Sequence, residues 1–143
     1  MGFFDSFKKT KDKFTNKSGK DLLESYCASA AYLAMADGTA SSEEVEAAVA
    51  ILANNYTVKK NGFNEEQIRA CMKEMLAKGT SRTGGVGLLR EIVEGAQTPD
   101  DKEDVVNIAL DIASADGSIS EPEKTKVLAV IAKLGLRPEA FGL

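Results

Sequence analysis

Histidine and tryptophan are absent from this chain of 143 residues, cysteine occurs twice and proline three times. Each scarcity excludes something. Without histidine there is no Ser-His-Asp or Cys-His catalytic unit, no imidazole acid or base, and no zinc site built on imidazole. Cys27 and Cys71 stand far apart with no C-x-x-C partner, so neither a disulfide framework nor a thiolate zinc site is indicated. They read as small apolar residues of a core in a reducing compartment. Long apolar runs are missing too: no stretch approaches the roughly 18 residues that a membrane-spanning helix requires. No secretory signal is expected, because the lysines follow the first phenylalanines instead of preceding an apolar core. What remains is 43% apolar and 28% charged, the balance of a folded domain rather than a disordered chain. The length suits one domain.

The net charge of -4 is unevenly spread. Residues 1–20 hold Lys8, Lys9, Lys11, Lys13, Lys17 and Lys20 against Asp5 and Asp12, a balance of +4. The remainder holds 12 basic and 20 acidic groups, a balance of -8. An acidic body argues against nucleic acid as a partner, whereas the basic arm suits anionic lipid or an acidic protein.

The apolar spacing is helical nearly throughout. Phe4, Phe7 and Phe14, with lysines between them, predict an amphipathic helix over 3–14, and Thr15-Asn16-Lys17-Ser18-Gly19 reads as a polar breaker after it. The expected division is therefore a basic helix and linker at 1–20 and one helical domain at 21–143. Residues 21–36 are alanine-rich and almost wholly apolar beyond Glu24, which places that helix inside a bundle. Further helices are predicted at about 42–55, 65–78, 85–95, 99–115 and 121–134. Asn64-x-x-Gln67 is a potential capping box, and Thr98 precedes a helix opening on Pro99, Asp100 and Asp101. No segment alternates as a strand would. The fold class is all-α.

A repeat at a spacing of 79 residues is the most informative feature. Ala36-Asp37-Gly38-Thr39-Ala40-Ser41-Ser42-Glu43-Glu44 aligns with Ala115-Asp116-Gly117-Ser118-Ile119-Ser120-Glu121-Pro122-Glu123. The match extends outward, with Ala30, Ala34, Ala50 and Ala53 meeting Ala109, Ala113, Ala129 and Ala132. Each copy thus reads as a buried helix, an acidic turn and a second amphipathic helix, an arrangement that invites a pseudo-twofold. Gly38 and Gly117 suit a backbone of positive φ just past a helix. Ser41-x-x-Glu44 and Ser120-x-x-Glu123 have the form of capping boxes. A capped turn of this kind needs no ligand. Yet Asp37 and Asp116 each fall at a helix C-terminus, where the macrodipole disfavours a carboxylate. Two at equivalent places imply an offsetting partner, either a backbone N–H in an Asx turn or a cation.

The cation alternative has its own chemistry. In the second copy, Asp116, Gly117, Ile119 and Glu123 match positions 5, 6, 8 and 12 of an EF-hand loop. Positions 1 and 3 would fall on Ile112 and Ser114, and on Leu33 and Met35 in the first copy, so a true EF-hand is excluded on ligand count. A weaker oxygen site would use either Asp116, Glu123, the Ser120 hydroxyl and backbone carbonyls, or Asp and Glu from both copies. It suits calcium, magnesium or manganese and lacks the soft ligands of copper or zinc. Other features read more plainly. Gly79-Thr80-Ser81-Arg82-Thr83-Gly84-Gly85-Val86-Gly87 has no preceding strand and no Gly-Lys-Ser/Thr, so it reads as an inter-helix loop rather than a phosphate cradle. Asp104, Asn107, Asp111 and Ser114 read as the solvent face of their helix.

Taken together, the Gly2-Phe3-Phe4-Asp5 start, the two Asp-Gly turns at their 79-residue offset, and the closing Leu134-Gly135-Leu136-Arg137-Pro138-Glu139-Ala140-Phe141-Gly142-Leu143 give a chain that resembles the tellurite-resistance TerB family over essentially its whole length. The resemblance implies a TerB-like bundle of about seven helices. It implies a cytoplasmic bacterial or phage-borne protein tied to tellurite tolerance and to resistance against phage and colicins. Its implied partners are a TerC-type membrane protein and calcium-binding TerD-type proteins. The family's suspected metal ligands carry over to Asp37, Glu44, Asp116 and Glu123.

The expected function is a non-enzymatic stress-response module that binds partners, and a divalent cation such as calcium, at the inner face of the membrane. The acidic turns would form the working surface, and residues 3–20 would assist docking on anionic lipid or a partner, or else lie against the domain itself. Two alternatives stand beside it. One is a thiol-dependent enzyme acting on tellurite through Cys27 or Cys71, without a paired thiol or cofactor motif to support it. The other is a structural adaptor whose turns bind nothing.

Overall fold

The computed structural model describes the backbone of residues 3–143 and the side chains of residues 19–143. Seven α-helices, α1 (Phe3–Ala34), α2 (Ser42–Ala53), α3 (Tyr56–Lys60), α4 (Glu65–Gly79), α5 (Gly84–Gly95), α6 (Pro99–Ala113) and α7 (Glu121–Lys133), are followed by a 3-10 turn at Pro138–Phe141. No strand occurs among the described residues. The second half of α1 is the axis of the bundle. Residues 25–34 are buried without interruption, because helices pack on it from several sides, chiefly α4, α5 and α6. Its small residues allow those backbones to approach closely.

Two buried serines and one glycine fix the approach. Ser25 Oγ donates to the Ile92 carbonyl on α5 at 2.7 Å, and Ser29 Oγ donates to the Val105 carbonyl on α6 at 3.1 Å. At Gly95, the last residue of α5, a Cβ would lie under 3.0 Å from the Asp21 carbonyl oxygen and 2.6 Å from Ser25 Cβ. α5 can lie where it does only because that Cβ is missing. On the next face of α1, Lys126 Nζ of α7 stands 4.0 Å from the centre of the Tyr32 ring, a cation–π contact.

The helix starts follow the capping chemistry expected of them. Capping boxes close at Ser41/Glu44, Asn64/Gln67, Thr98/Asp101 and Ser120/Glu123. Three expectations are corrected. α1 runs unbroken through residues 15–19, where a breaker was predicted. Thr, Asn, Lys and Ser each cost a helix only tenths of a kcal/mol and one glycine about 1 kcal/mol, less than the packed half of the same helix can offset. The amphipathic pattern of residues 3–14 lies outside the described side chains. α3 and the 3-10 turn were not predicted, being too short to show a period. Asn55 Oδ1 caps α3 by accepting from the Val58 N–H, and Val58 is its one buried side chain.

The third correction concerns Asp104. It does not belong to a solvent face: its Oδ2 accepts from the Tyr26 hydroxyl at 2.9 Å and the Thr57 hydroxyl at 3.1 Å. Tyr26 is fully buried. Asn107, Asp111 and Ser114 are exposed as expected.

Candidate functional site

Both acidic turns leave a helix and enter a capped one. Gly38 has φ 122° and Gly117 φ 98°, conformations that an L side chain rarely adopts. After each, the serine takes an extended backbone, with φ/ψ of -72°/163° at Ser41 and -74°/164° at Ser120. Ser41 Oγ accepts from the Glu44 N–H and Glu44 Oε1 accepts from the Ser41 N–H, both at 3.1 Å. Glu123 Oε1 accepts from the Ser120 N–H at 2.8 Å, and Ser120 Oγ from the Glu123 N–H at 3.3 Å. Each glutamate therefore has one oxygen committed to its cap and one left over.

The two turns differ at their aspartates. Asp116 Oδ1 accepts from the Ser118 N–H at 3.3 Å, the Asx-turn answer to its place at a helix end. Among the described residues Asp37 makes no such bond. Instead it lines a cavity of about 70 Å³ with Glu44 from its own turn and Glu123 from the other. The cavity wall is apolar, formed by residues such as Leu33, Ala48, Ile51 and Ile112. Three of the four expected site residues thus border one notch between α1, α2 and the start of α7, while Asp116 faces away into its own turn. None of the four forms an ion pair with a described residue. The notch therefore concentrates negative charge over an apolar wall. Its acids border the space without converging: no three His, Cys, Asp or Glu side chains among the described residues meet closely enough to hold an ion directly.

Sequence spacing left open whether acids of the two copies meet, and did not single out Glu123 as the one that joins Asp37 and Glu44, since 79 residues separate Glu44 from its repeat counterpart. The signal was present in the small residues, Ala34, Ala47 and Ala115, that keep the notch open.

The cysteines lie in the core as expected, but side by side, which their distance along the chain did not suggest. Cys27 of α1 and Cys71 of α4 are both buried and reduced, and their thiols adjoin. The Cys71 thiol beside it and burial push the Cys27 thiol well above the usual thiol range, with Glu24 and Glu74 adding to the effect. A thiolate is the reactive form, so this environment works against nucleophilic or redox use. In the native protein both thiols should resist an aromatic disulfide reagent, reacting at least about a hundredfold more slowly than in guanidinium. Stoichiometric labelling within the mixing time would show that the pair is accessible.

A family model described as "Tellurite resistance protein TerB" matches residues 23–143, from the buried half of α1 to the last residue. No curated protein and no solved structure matches the chain. Among the described residues no helix is long and apolar enough to cross a membrane.

Proposed function

The chain belongs to the tellurite-resistance TerB family, and from that premise we propose that it is a non-enzymatic module whose working surface is the acidic notch between its two Asp-Gly turns. One observation carries the reading: Asp37, Glu44 and Glu123 border a single cavity, and none is neutralised by a described cation. Structural carboxylates are ordinarily paired or spread over a solvated face. An apolar wall with a carboxylate rim fits a lysine or arginine of a partner protein, whose aliphatic stem packs below while its charge meets the rim. Partners of the TerC and TerD types, at the inner face of the membrane, are the ones the family suggests.

Binding of a divalent cation such as calcium is a narrower form of the same proposal. Asp37, Glu44 and Glu123, with Asp116 once released from its own turn, would hold it through intervening water, supplying the hard oxygen donors such an ion takes. Because those acids do not converge, the affinity is expected to be roughly millimolar. The ion would add positive charge to the notch. Titrating calcium should move the amide resonances of Gly38 and Gly117. No movement at millimolar calcium, magnesium or manganese rejects the cation, and movement that survives Asp37→Asn with Asp116→Asn puts it elsewhere.

The partner surface has its own test. Glu44→Gln and Glu123→Gln preserve the capping boxes, since glutamine serves at that position as glutamate does. Together with Asp37→Asn they remove three charges and leave the fold intact. In a host carrying the rest of the resistance system, this triple variant should lower tellurite tolerance about tenfold at unchanged protein level, the loss expected for disrupted charge pairs at an interface. Unchanged tolerance sinks the proposal. The thiol-enzyme alternative is answered separately: tellurite reduction by purified protein, abolished by Cys27→Ser and Cys71→Ser, would establish it.

A further inference from the structure

The outer face of α5 is a second surface, distinct in chemistry from the acidic notch. Its inner face is committed to the core through Leu88 and Ile92. On the outer face Val86, Leu89 and Val93 stand at i, i+3 and i+7 and line a groove of about 340 Å³ with Arg90 and with Lys133 at the end of α7. Val86 is 63% and Val93 38% exposed. These are two of the five large apolar side chains that the described residues leave exposed, and they share one stripe.

The charge is as unusual as the exposure. Beyond residue 20 the chain carries a balance of -8, yet the charged groups lining this groove are both cationic. Neither Arg90 nor Lys133 makes an ion pair with a described residue. The neighbouring Glu91 is held by Lys78 of α4, and so is not available to neutralise them. The groove is also preformed, because the close approach at Gly95 and the Ser25–Ile92 hydrogen bond hold α5 against α1. A surface that is rigid before binding loses little entropy on binding.

We infer that this groove docks an acidic amphipathic helix of a partner protein. Apolar side chains one helical turn apart offer a ridge against which a second helix packs, the helix-in-groove mode of recognition. The two cations select for carboxylates beside the partner's apolar stripe and against a basic helix. A bilayer fits less well, since the site is concave and two cations are few for anionic lipid.

The test uses the full-length 15N-labelled chain and two synthetic helical peptides with the same leucine stripe. One carries glutamate on its flanks and the other lysine. The glutamate peptide should shift the amides of Val86–Val93 and Lys133, and the lysine peptide should not. Arg90→Glu with Lys133→Glu should weaken the glutamate peptide at least about tenfold. Val86→Ala with Val93→Ala should weaken it without altering its salt dependence. All four positions are exposed, and an unchanged melting temperature confirms that each variant is folded. The inference is overturned by no shift at millimolar glutamate peptide, by equal binding of both peptides, or by shifts confined to another face. It is equally overturned if the same amides respond to anionic vesicles and not to peptide, or to protein concentration alone with sedimentation showing a dimer.

Discussion

Gly95→Ala is expected to destabilise the protein by about 2–4 kcal/mol, although helix propensity alone predicts a gain of about 1 kcal/mol. The sign is decided by what the added carbon meets. It would lie under 3.0 Å from the Asp21 carbonyl oxygen and 2.6 Å from Ser25 Cβ, and neither can yield without moving the backbone of α1. Separating α1 from α5 would stretch the buried bond from Ser25 Oγ to the Ile92 carbonyl. Overpacking costs roughly 1–3 kcal/mol, and leaving a buried hydroxyl unsatisfied costs roughly the same again. Against a total stability of about 5–15 kcal/mol for a domain, a loss of this size is plain in a denaturant midpoint. Gly87→Ala on the same helix is the control. Its Cβ would meet only the flexible Lys78 side chain at 3.6 Å, so propensity should prevail and stabilise by about 0.5–1 kcal/mol. If both variants move the same way, close approach does not hold α5 on α1.

The second large effect is expected at Asp104→Ala, at about 2–3 kcal/mol. The carboxylate accepts from Tyr26 and Thr57 together, and its removal orphans the hydroxyl of a fully buried tyrosine. Tyr26→Phe should cost less, about 1 kcal/mol, because the remaining partners are near enough to solvent or to each other to adjust. The double variant should be less damaging than the sum of the two, and strict additivity would mean that the bond contributes nothing. The same pair sets an alkaline limit. Burial, then the Asp104 hydrogen bond and charge, push the Tyr26 phenol well above its ordinary value of 10. A phenol raised in the folded state contributes stability that is complete below pH 10 and is lost as pH rises further, since the unfolded chain ionises first. Stability of the parent chain should therefore fall above pH 10, and Tyr26→Phe should flatten that fall.

Asp104 marks the limit of what spacing along the chain reveals. Its spacing with Asn107, Asp111 and Ser114 is that of a solvent stripe, and three of the four are exposed. Only the arrival of α1 and α3 beside it turns one carboxylate into a hydrogen-bond acceptor for two other helices. The capping boxes at Ser41, Asn64 and Ser120 and the cap at Thr98, by contrast, are legible, because their hydrogen bonds close within three residues and depend on no distant partner. The return bond from the Thr98 N–H to Asp101 is the one the spacing did not suggest. The bent backbone at Gly38 and Gly117 was legible for the same reason. The unbroken α1 was missed because propensities of a few tenths of a kcal/mol per residue are too weak to end a helix whose other half is packed.

The sequence by itself therefore determined the fold class, six of the helix starts to within a residue, the acidic turns and their caps, and the family resemblance. All of these reside in local backbone chemistry or in the order of residues. Histidine's absence likewise confined any ion chemistry to carboxylates and backbone oxygens. Only the tertiary structure decided which side chains meet: that Glu123 joins Asp37 and Glu44 at one notch while Asp116 turns away, and that two cysteines far apart in the chain adjoin in the core. It alone shows that Arg90 and Lys133 flank an apolar stripe. Helical period tells which residues share a face, but it does not tell which faces pack together. That is set by where small residues such as Gly95 let two backbones close, a condition on pairs of helices that no single segment contains.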